Sequence, residues 1–80
     1  MGDTMKRLQE LRKAKGYSQI KMQMLTGIDQ SDYSKIETGK RGVSFEQCKR
    51  LAVVLETSMD YLAGLTDDPR PYPRATGKKL

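Results

Sequence analysis

The sequence predicts an all-α domain of five short helices followed by a tail. Apolar residues recur three and four positions apart, which places them on one face of a helix. Serine or aspartate precedes most of these segments and glycine follows them, as at helix starts and stops. No segment alternates apolar and polar residues as a half-buried strand does.

Helix 1 is predicted from the spacing of Met5, Leu8 and Leu11, after a frayed end at residues 1–3. Gly16 is expected to end it, because glycine readily adopts the left-handed conformation that closes a helix. The helix therefore presents one apolar stripe to a core.

Helix 2 is predicted to begin at Ser18, whose side chain can accept a hydrogen bond from a first-turn amide. Met22 and Leu25 lie three apart, on the side expected to face the core, and Gly27 is the stop. Ile28 then provides an apolar anchor in the turn. The helix is short, about two turns.

Helix 3 is predicted to follow directly, with Asp29 as its cap and Asp32 in its first turn, where a carboxylate interacts favourably with the helix dipole. Tyr33 and Ile36 share the face that packs, and Gly39 ends the helix. The polar residues on or near the other face are Gln30, Ser31, Ser34 and Lys35.

Helix 4 is predicted from a capping box of Ser44 and Gln47 and from an apolar stripe formed by Cys48, Leu51, Ala52 and Leu55. Ser58 repeats the capping device for a short helix 5, which runs to about Ala63 and stops at Gly64. These elements make residues 1–65 one domain.

Residues 66–80 are predicted to be a mobile basic tail, because three prolines at alternate positions exclude a regular helix and apolar residues are few. A solvated end is the expected state. The alternative is contact with phosphate through the bases of this segment, which are Arg70, Arg74, Lys78 and Lys79.

The composition favours a binding module over an enzyme. Eighty residues make one small domain without room for a large catalytic cavity, and the net charge of +5 suits an anionic partner. The chain has no histidine, one cysteine and no phosphate-cradling glycine loop, so we expect no catalytic site, no metal site and no cofactor. No small-molecule pocket is evident either.

Cys48 is interpreted as a core residue, because it lies on the stripe of helix 4 and cannot form an internal disulfide. No hydrophobic run is long enough for a signal peptide or a membrane span. We therefore expect a cytoplasmic protein without a membrane partner.

The segment from Ser18 to Arg41 fits S-Q-x(7)-G-I-D-Q-S-x-x-S-K-I-E-x-G-K-R. With its flanks, about residues 4–65, it resembles the lambda-repressor/Cro type of helix-turn-helix domain. The resemblance implies that helices 2 and 3 form the helix-turn-helix and that residues 30–38 enter the major groove of double-stranded DNA. It also implies a transcriptional regulator, expected to be a repressor that binds a palindromic operator as a homodimer.

The reading residues expected from this interpretation lie at the exposed face of helix 3. The Gln30 amide can pair with the adenine edge, and Ser31 is its neighbour. One turn on, Ser34 and Lys35 can reach a further base or a phosphate, and for Lys35 both contacts stay open. Asp32 is interpreted as a helix-dipole residue, with acceptance from cytosine as the alternative.

Contacts to the DNA backbone are expected at both ends of the motif. Gln19 opens helix 2, where a side-chain amide and helix-terminal amides can meet a phosphate, as a glutamine does there in the resembled family. Lys40, Arg41 and the free amides at Ser44 are expected to form a second backbone clamp.

The resemblance further implies a partly buried ion pair between Arg12 and Glu37, with a structural role. Tyr33 stands where the family usually has a β-branched aliphatic, and we expect its ring inside and its hydroxyl at the surface. Gln23 replaces a small alanine that lets helices 2 and 3 approach. Glu56 replaces a glycine between helices 4 and 5, so this turn either differs from that of the family or carries a modest strain in the left-handed conformation.

The alternative function is a protein-interaction module of the same fold, such as an antitoxin or an anti-repressor partner. The sequence itself does not exclude it. The two hypotheses differ in their salt dependence, because binding through several phosphates weakens steeply as salt rises.

Overall fold

Side-chain caps start four of the five helices that the chain forms within residues 2–73. The computed structural model describes these residues, with side chains from residue 6 onward. The helices are α1 (Gly2–Ala14), α2 (Gln19–Thr26), α3 (Gln30–Glu37), α4 (Phe45–Val54) and α5 (Met59–Leu62). The caps are those predicted, namely Ser18, Asp29, Ser44 and Ser58. With no strand in the described range, the predicted all-α class is confirmed.

The turns between helices depend on left-handed residues. Gly27 has φ 77° and ends α2, and its amide donates to the Gln23 carbonyl oxygen. Glu56 has φ 55° between α4 and α5, so of the two alternatives left open for this turn the chain adopts the left-handed conformation, at a residue that carries a side chain. Its carboxylate lies 2.6 Å from Lys15 Nζ.

Helix α1 begins earlier than predicted, at Gly2, inside the segment expected to be frayed. Leu8 is buried and Leu11 packs partly against the core, as the stripe predicts. The side chain of Met5, the third member of that stripe, lies outside the described residues.

The core lies where α3 meets α1 and α2, and where α4 meets α2 and α5. Its buried apolar residues are Leu8, Met22, Ile28, Tyr33, Ile36, Leu51, Ala52, Leu55 and Leu62. Cys48 packs partly against this cluster, and burial raises the pKa of its thiol.

The prediction that Leu25 faces the core is wrong, since this side chain is 42% exposed. The buried stripe of α2 joins Met22 and Thr26, four residues apart, and Leu25 lies beside it. The Thr26 hydroxyl donates to the Met22 carbonyl oxygen and accepts from the Ile28 amide. These two bonds satisfy the hydroxyl of Thr26, which occupies the buried position predicted for Leu25.

The segment after α5 contacts the body of the domain as far as residue 73. Arg7 donates to the carbonyl oxygens of Tyr61 and Thr66 and pairs with Asp67, while its guanidinium lies 4.3 Å from the Tyr61 ring centroid. Thr57 donates its hydroxyl to the Pro69 carbonyl oxygen. The mobility of residues 66–80 stays a prediction, and its basic residues Arg74, Lys78 and Lys79 lie outside the described residues.

Candidate nucleic-acid interface

Helix α3 has one packed face and one polar face. Tyr33 and Ile36 are completely buried, which fixes the helix against α1 and α2. On the other side, Ser31 and Lys35 are exposed, and Gln30 and Ser34 are partly exposed. The structure thus places the four predicted reading residues together on the free side of one helix. Their contacts with bases stay a prediction.

A buried carboxylate anchors the packed face of α3. Glu37 Oε2 lies 2.5 Å from Arg12 Nε, and Oε1 accepts a longer bond of 3.3 Å from Arg12 Nη2. The Glu37 side chain is 1% exposed and that of Arg12 is 10% exposed. The structure therefore contains the ion pair that the resemblance implied, and it connects α3 to α1.

The same carboxylate has a second partner that the sequence did not predict. The Tyr33 hydroxyl, expected at the surface, is buried and donates to Glu37 Oε2 over 2.6 Å. The expectation of a surface hydroxyl is wrong because residues 33 and 37 lie one turn apart on the same helix face, within hydrogen-bonding reach. A phenol can therefore replace an aliphatic residue without an unpaired polar group.

Gln19 at the start of α2 is the fourth member of this network. Its Nε2 donates to Glu37 Oε1 over 3.1 Å, so the side chain predicted to contact phosphate is bonded to α3. The phosphate contact itself stays a prediction. The side chain is partly exposed, and α2 is capped by Ser18, whose hydroxyl accepts from the Lys21 amide. The network thus links α1, α2 and α3 through one carboxylate.

These contacts explain the ionisation of the network. Burial alone would raise the pKa of Glu37, but the hydrogen bonds from Arg12, Tyr33 and Gln19 outweigh it and lower this pKa below its ordinary value. Burial and the neighbouring carboxylate raise the pKa of Tyr33. Near neutral pH, Glu37 is therefore an anion and Tyr33 a neutral donor.

Gln23 holds the start of α3 from the neighbouring helix. Its Oε1 accepts a 2.6 Å bond from the backbone amide of Gln30, while the Asp29 carboxylate accepts from the Ser31 amide. Two first-turn amides of α3 thus have side-chain acceptors, one local and one from α2. Where the resembled family usually has a small residue, the exposed side chain of Gln23 thus connects α2 to α3.

The loop after α3 is organised differently from a simple clamp. Arg41 Nη1 lies 2.6 Å from Asp32 Oδ1, so the loop cation pairs with the acid in the first turn of α3. Lys40 is exposed. The Ser44 amide, expected to be free for phosphate, instead donates to Gln47 Oε1 within the capping box. The backbone contact predicted at Ser44 therefore competes with the cap of α4.

Sequence reasoning missed four contacts of this region: the bond from Tyr33 to Glu37, the bond from Gln19 to Glu37, the bond from Gln30 to Gln23, and the pair of Asp32 with Arg41. Only the first had a signal, since a tyrosine four residues before a glutamate can reach it on a helix. The other three join residues whose proximity depends on how α2, α3 and the loop are packed.

The described residues form neither a metal-binding cluster nor a membrane-spanning helix. No group of three or more His, Cys, Asp or Glu side chains in this part of the chain could hold a metal ion. No helix formed by the described residues combines the length and apolarity needed to span a bilayer.

Comparison with known proteins identifies relatives of this chain. A family model described as "Helix-turn-helix" matches residues 8–62. The uncharacterized HTH-type transcriptional regulator YobD of Bacillus subtilis (strain 168) is 35% identical over 65 residues, 81% of this chain and 58% of that protein. The SPbeta prophage-derived uncharacterized HTH-type transcriptional regulator YonR of the same organism is 38% identical over 56 residues, 70% of this chain and 52% of that protein. The chain thus spans little more than half the length of these curated relatives. No solved structure gives a significant match.

Proposed function

The chain belongs to the helix-turn-helix family, of the lambda-repressor/Cro type, and on this premise we propose that it is a sequence-specific repressor that reads duplex DNA with α3. Family membership supports the coarser statement that it is a DNA-binding transcription regulator. Repression follows from occlusion, because a small domain seated on an operator blocks access to the DNA beneath it. We propose that such a regulator works in the cytoplasm.

The observation that carries this proposal is the polar face of α3 on a rigid base. Gln30, Ser31, Ser34 and Lys35 lie on the free side, while Tyr33 and Glu37 fix the other side through buried contacts. A preorganised helix loses little conformational freedom when it enters a major groove. The Gln30 amide pairs with adenine, and Lys35 contacts a base or a phosphate.

Backbone contacts flank this face in the proposal. Phosphates on either side of the groove are contacted by Gln19 at the start of α2, by Lys40 and Arg41 in the loop, and by the start of α4 at Ser44. They supply affinity that does not depend on sequence, whereas the residues of α3 supply the discrimination.

We propose further that two copies bind a palindromic operator. One α3 contacts too few base pairs for high specificity, whereas two domains about one helical turn apart add their contacts. An operator with two inverted half-sites follows from the two-fold symmetry of such a dimer.

Selection of bound duplexes from a random pool tests this function. We expect an enriched palindrome, and binding to it that weakens steeply as salt rises. Affinity without enrichment of any sequence would contradict sequence-specific reading. The absence of binding to any duplex at low salt would favour the protein-interaction module instead.

A further inference from the structure

The ion pair between Asp32 and Arg41 joins the two ends of α3. Asp32 lies in the first turn of the helix and Arg41 in the loop beyond its end, and their side chains are 38% and 46% exposed. The Nη1 to Oδ1 distance is 2.6 Å. The arginine side chain thus runs back along α3, toward the turn that carries Gln30 and Ser31.

Backbone hydrogen bonds fix the loop end of this arrangement. After the left-handed Gly39, the amides of Lys40 and Arg41 both donate to the carbonyl oxygen of Lys35, at 2.9 and 3.3 Å. The Arg41 backbone is therefore held against the last turn of α3. Its side chain has a fixed starting point, and Asp32 fixes its end.

Stability does not account for this pair, because exposed ion pairs contribute little to it. The helix dipole accounts for an acid in the first turn of α3, but it does not require a basic partner. A bare carboxylate on a helix that meets DNA would repel phosphates. A guanidinium on that carboxylate changes the local charge from negative to neutral.

We propose that Asp32 is a positioning residue for DNA binding, which holds the Arg41 guanidinium beside the first turn of α3 so that its remaining donors bind a phosphate oxygen. This inference rests on the proposed function. The planar guanidinium carries five N–H donors, and the 2.6 Å contact with Asp32 is made through Nη1. Asp32 thus strengthens phosphate binding because it holds the Arg41 guanidinium in position.

Removal of the Asp32 carboxylate is expected to change DNA affinity in the direction opposite to that of simple charge repulsion. Removing a carboxylate that only repels phosphates must tighten DNA binding. Under the present inference, Asp32→Asn weakens the affinity for the selected duplex about three- to fivefold, because Arg41 loses its fixed position. In an Arg41→Ala background, Asp32→Asn tightens binding, since only the repulsion remains to be removed.

The experiment measures duplex affinity over a salt series for the parent, for Asp32→Asn, for Arg41→Ala and for the double variant. Arg41→Ala is expected to weaken operator and random duplex alike and to reduce the salt slope by about one. Glu10→Gln, which removes an exposed carboxylate from α1, is the control for net charge and is expected not to weaken binding. Circular dichroism checks that every variant stays helical.

Three outcomes are decisive. Weaker binding by Asp32→Asn, reversed in the Arg41→Ala background, supports the inference. If the parent binds its duplex and Asp32→Asn binds as tightly or more tightly, the inference is wrong while the proposed function stands. If the parent binds no duplex, both are overturned.

Discussion

The hydroxyl of Tyr33 donates a 2.6 Å hydrogen bond to Oε2 of Glu37, one turn further along α3. Both side chains are buried, and the same oxygen lies 2.5 Å from Arg12 Nε. Helix α3 is therefore held by a bond within its own buried face as well as by the contact with α1. The stability of the domain and the geometry of its polar face depend on the same carboxylate.

Tyr33→Phe removes the hydroxyl and keeps the ring, so it isolates this hydrogen bond. We expect the free energy of unfolding to fall by about 1.5–3 kcal/mol, the range for a hydrogen bond to a charged group. Urea denaturation measures this loss as a lower midpoint concentration. The dependence of the unfolding free energy on urea concentration should stay unchanged. Unfolding at the parent's urea concentration would mean that the bond contributes nothing.

Glu37→Gln replaces the buried anion with a neutral group of the same shape. The guanidinium of Arg12 then lacks its counter-ion, and we expect a loss of about 3 kcal/mol of stability. Glu10→Gln, at an exposed position of α1, is the matched control and is expected to melt within a degree or two of the parent. A Glu37→Gln protein that melts like this control would exclude a structural role for the pair.

The lowered pKa of Glu37 predicts how stability depends on pH. The unfolded chain binds this proton more tightly than the folded protein, so acid favours unfolding. The contribution of Glu37 is complete above its ordinary pKa of 4.5 and is lost as the pH falls below that value toward the folded pKa. We expect the urea midpoint to fall as the pH drops below about 4.5, and to fall less in Glu37→Gln than in the parent. Equal falls in the two proteins would contradict this assignment.

Gln23 offers a test of how α2 holds the start of α3. Gln23→Ala removes the acceptor of the Gln30 amide, and we expect it to lower stability by up to about 1 kcal/mol. Gln23→Glu keeps the acceptor and adds a negative charge near a helix start, so it is expected to melt at or above the parent. Thermal unfolding measures both variants, and a Gln23→Glu protein as unstable as Gln23→Ala would rule out the hydrogen bond as the cause.

Local signals predicted the helices well, because caps and stops act within one turn. Ser18, Asp29, Ser44 and Ser58 all cap the helices assigned to them. Leu25 was misplaced because apolar spacing alone did not show that Thr26 could enter the core with its hydroxyl satisfied by backbone groups.

Contacts between elements were harder to predict than the elements themselves. The Arg12–Glu37 pair was expected only through the family resemblance, since 25 residues separate its members. The Asp32–Arg41 pair depends on the path of the loop after Gly39, which neither periodicity nor capping specifies. Gln23 and Tyr33, two of the positions at which this chain departs from the pattern of the resembled family, make their bonds through atoms that the usual residues lack.

The most direct test of sequence reading by α3 measures the affinity of two proteins for two duplexes. The proteins are the parent and the Gln30→Ala/Lys35→Ala double variant. The duplexes are the selected operator and a scrambled version of equal length and composition. We expect the parent to prefer the operator by about a thousandfold or more at physiological salt. The double variant should lose most of this preference and still bind both duplexes weakly through its backbone contacts. A parent without preference, or a double variant that keeps the parent's full preference, would contradict the assignment of α3 as the reading helix.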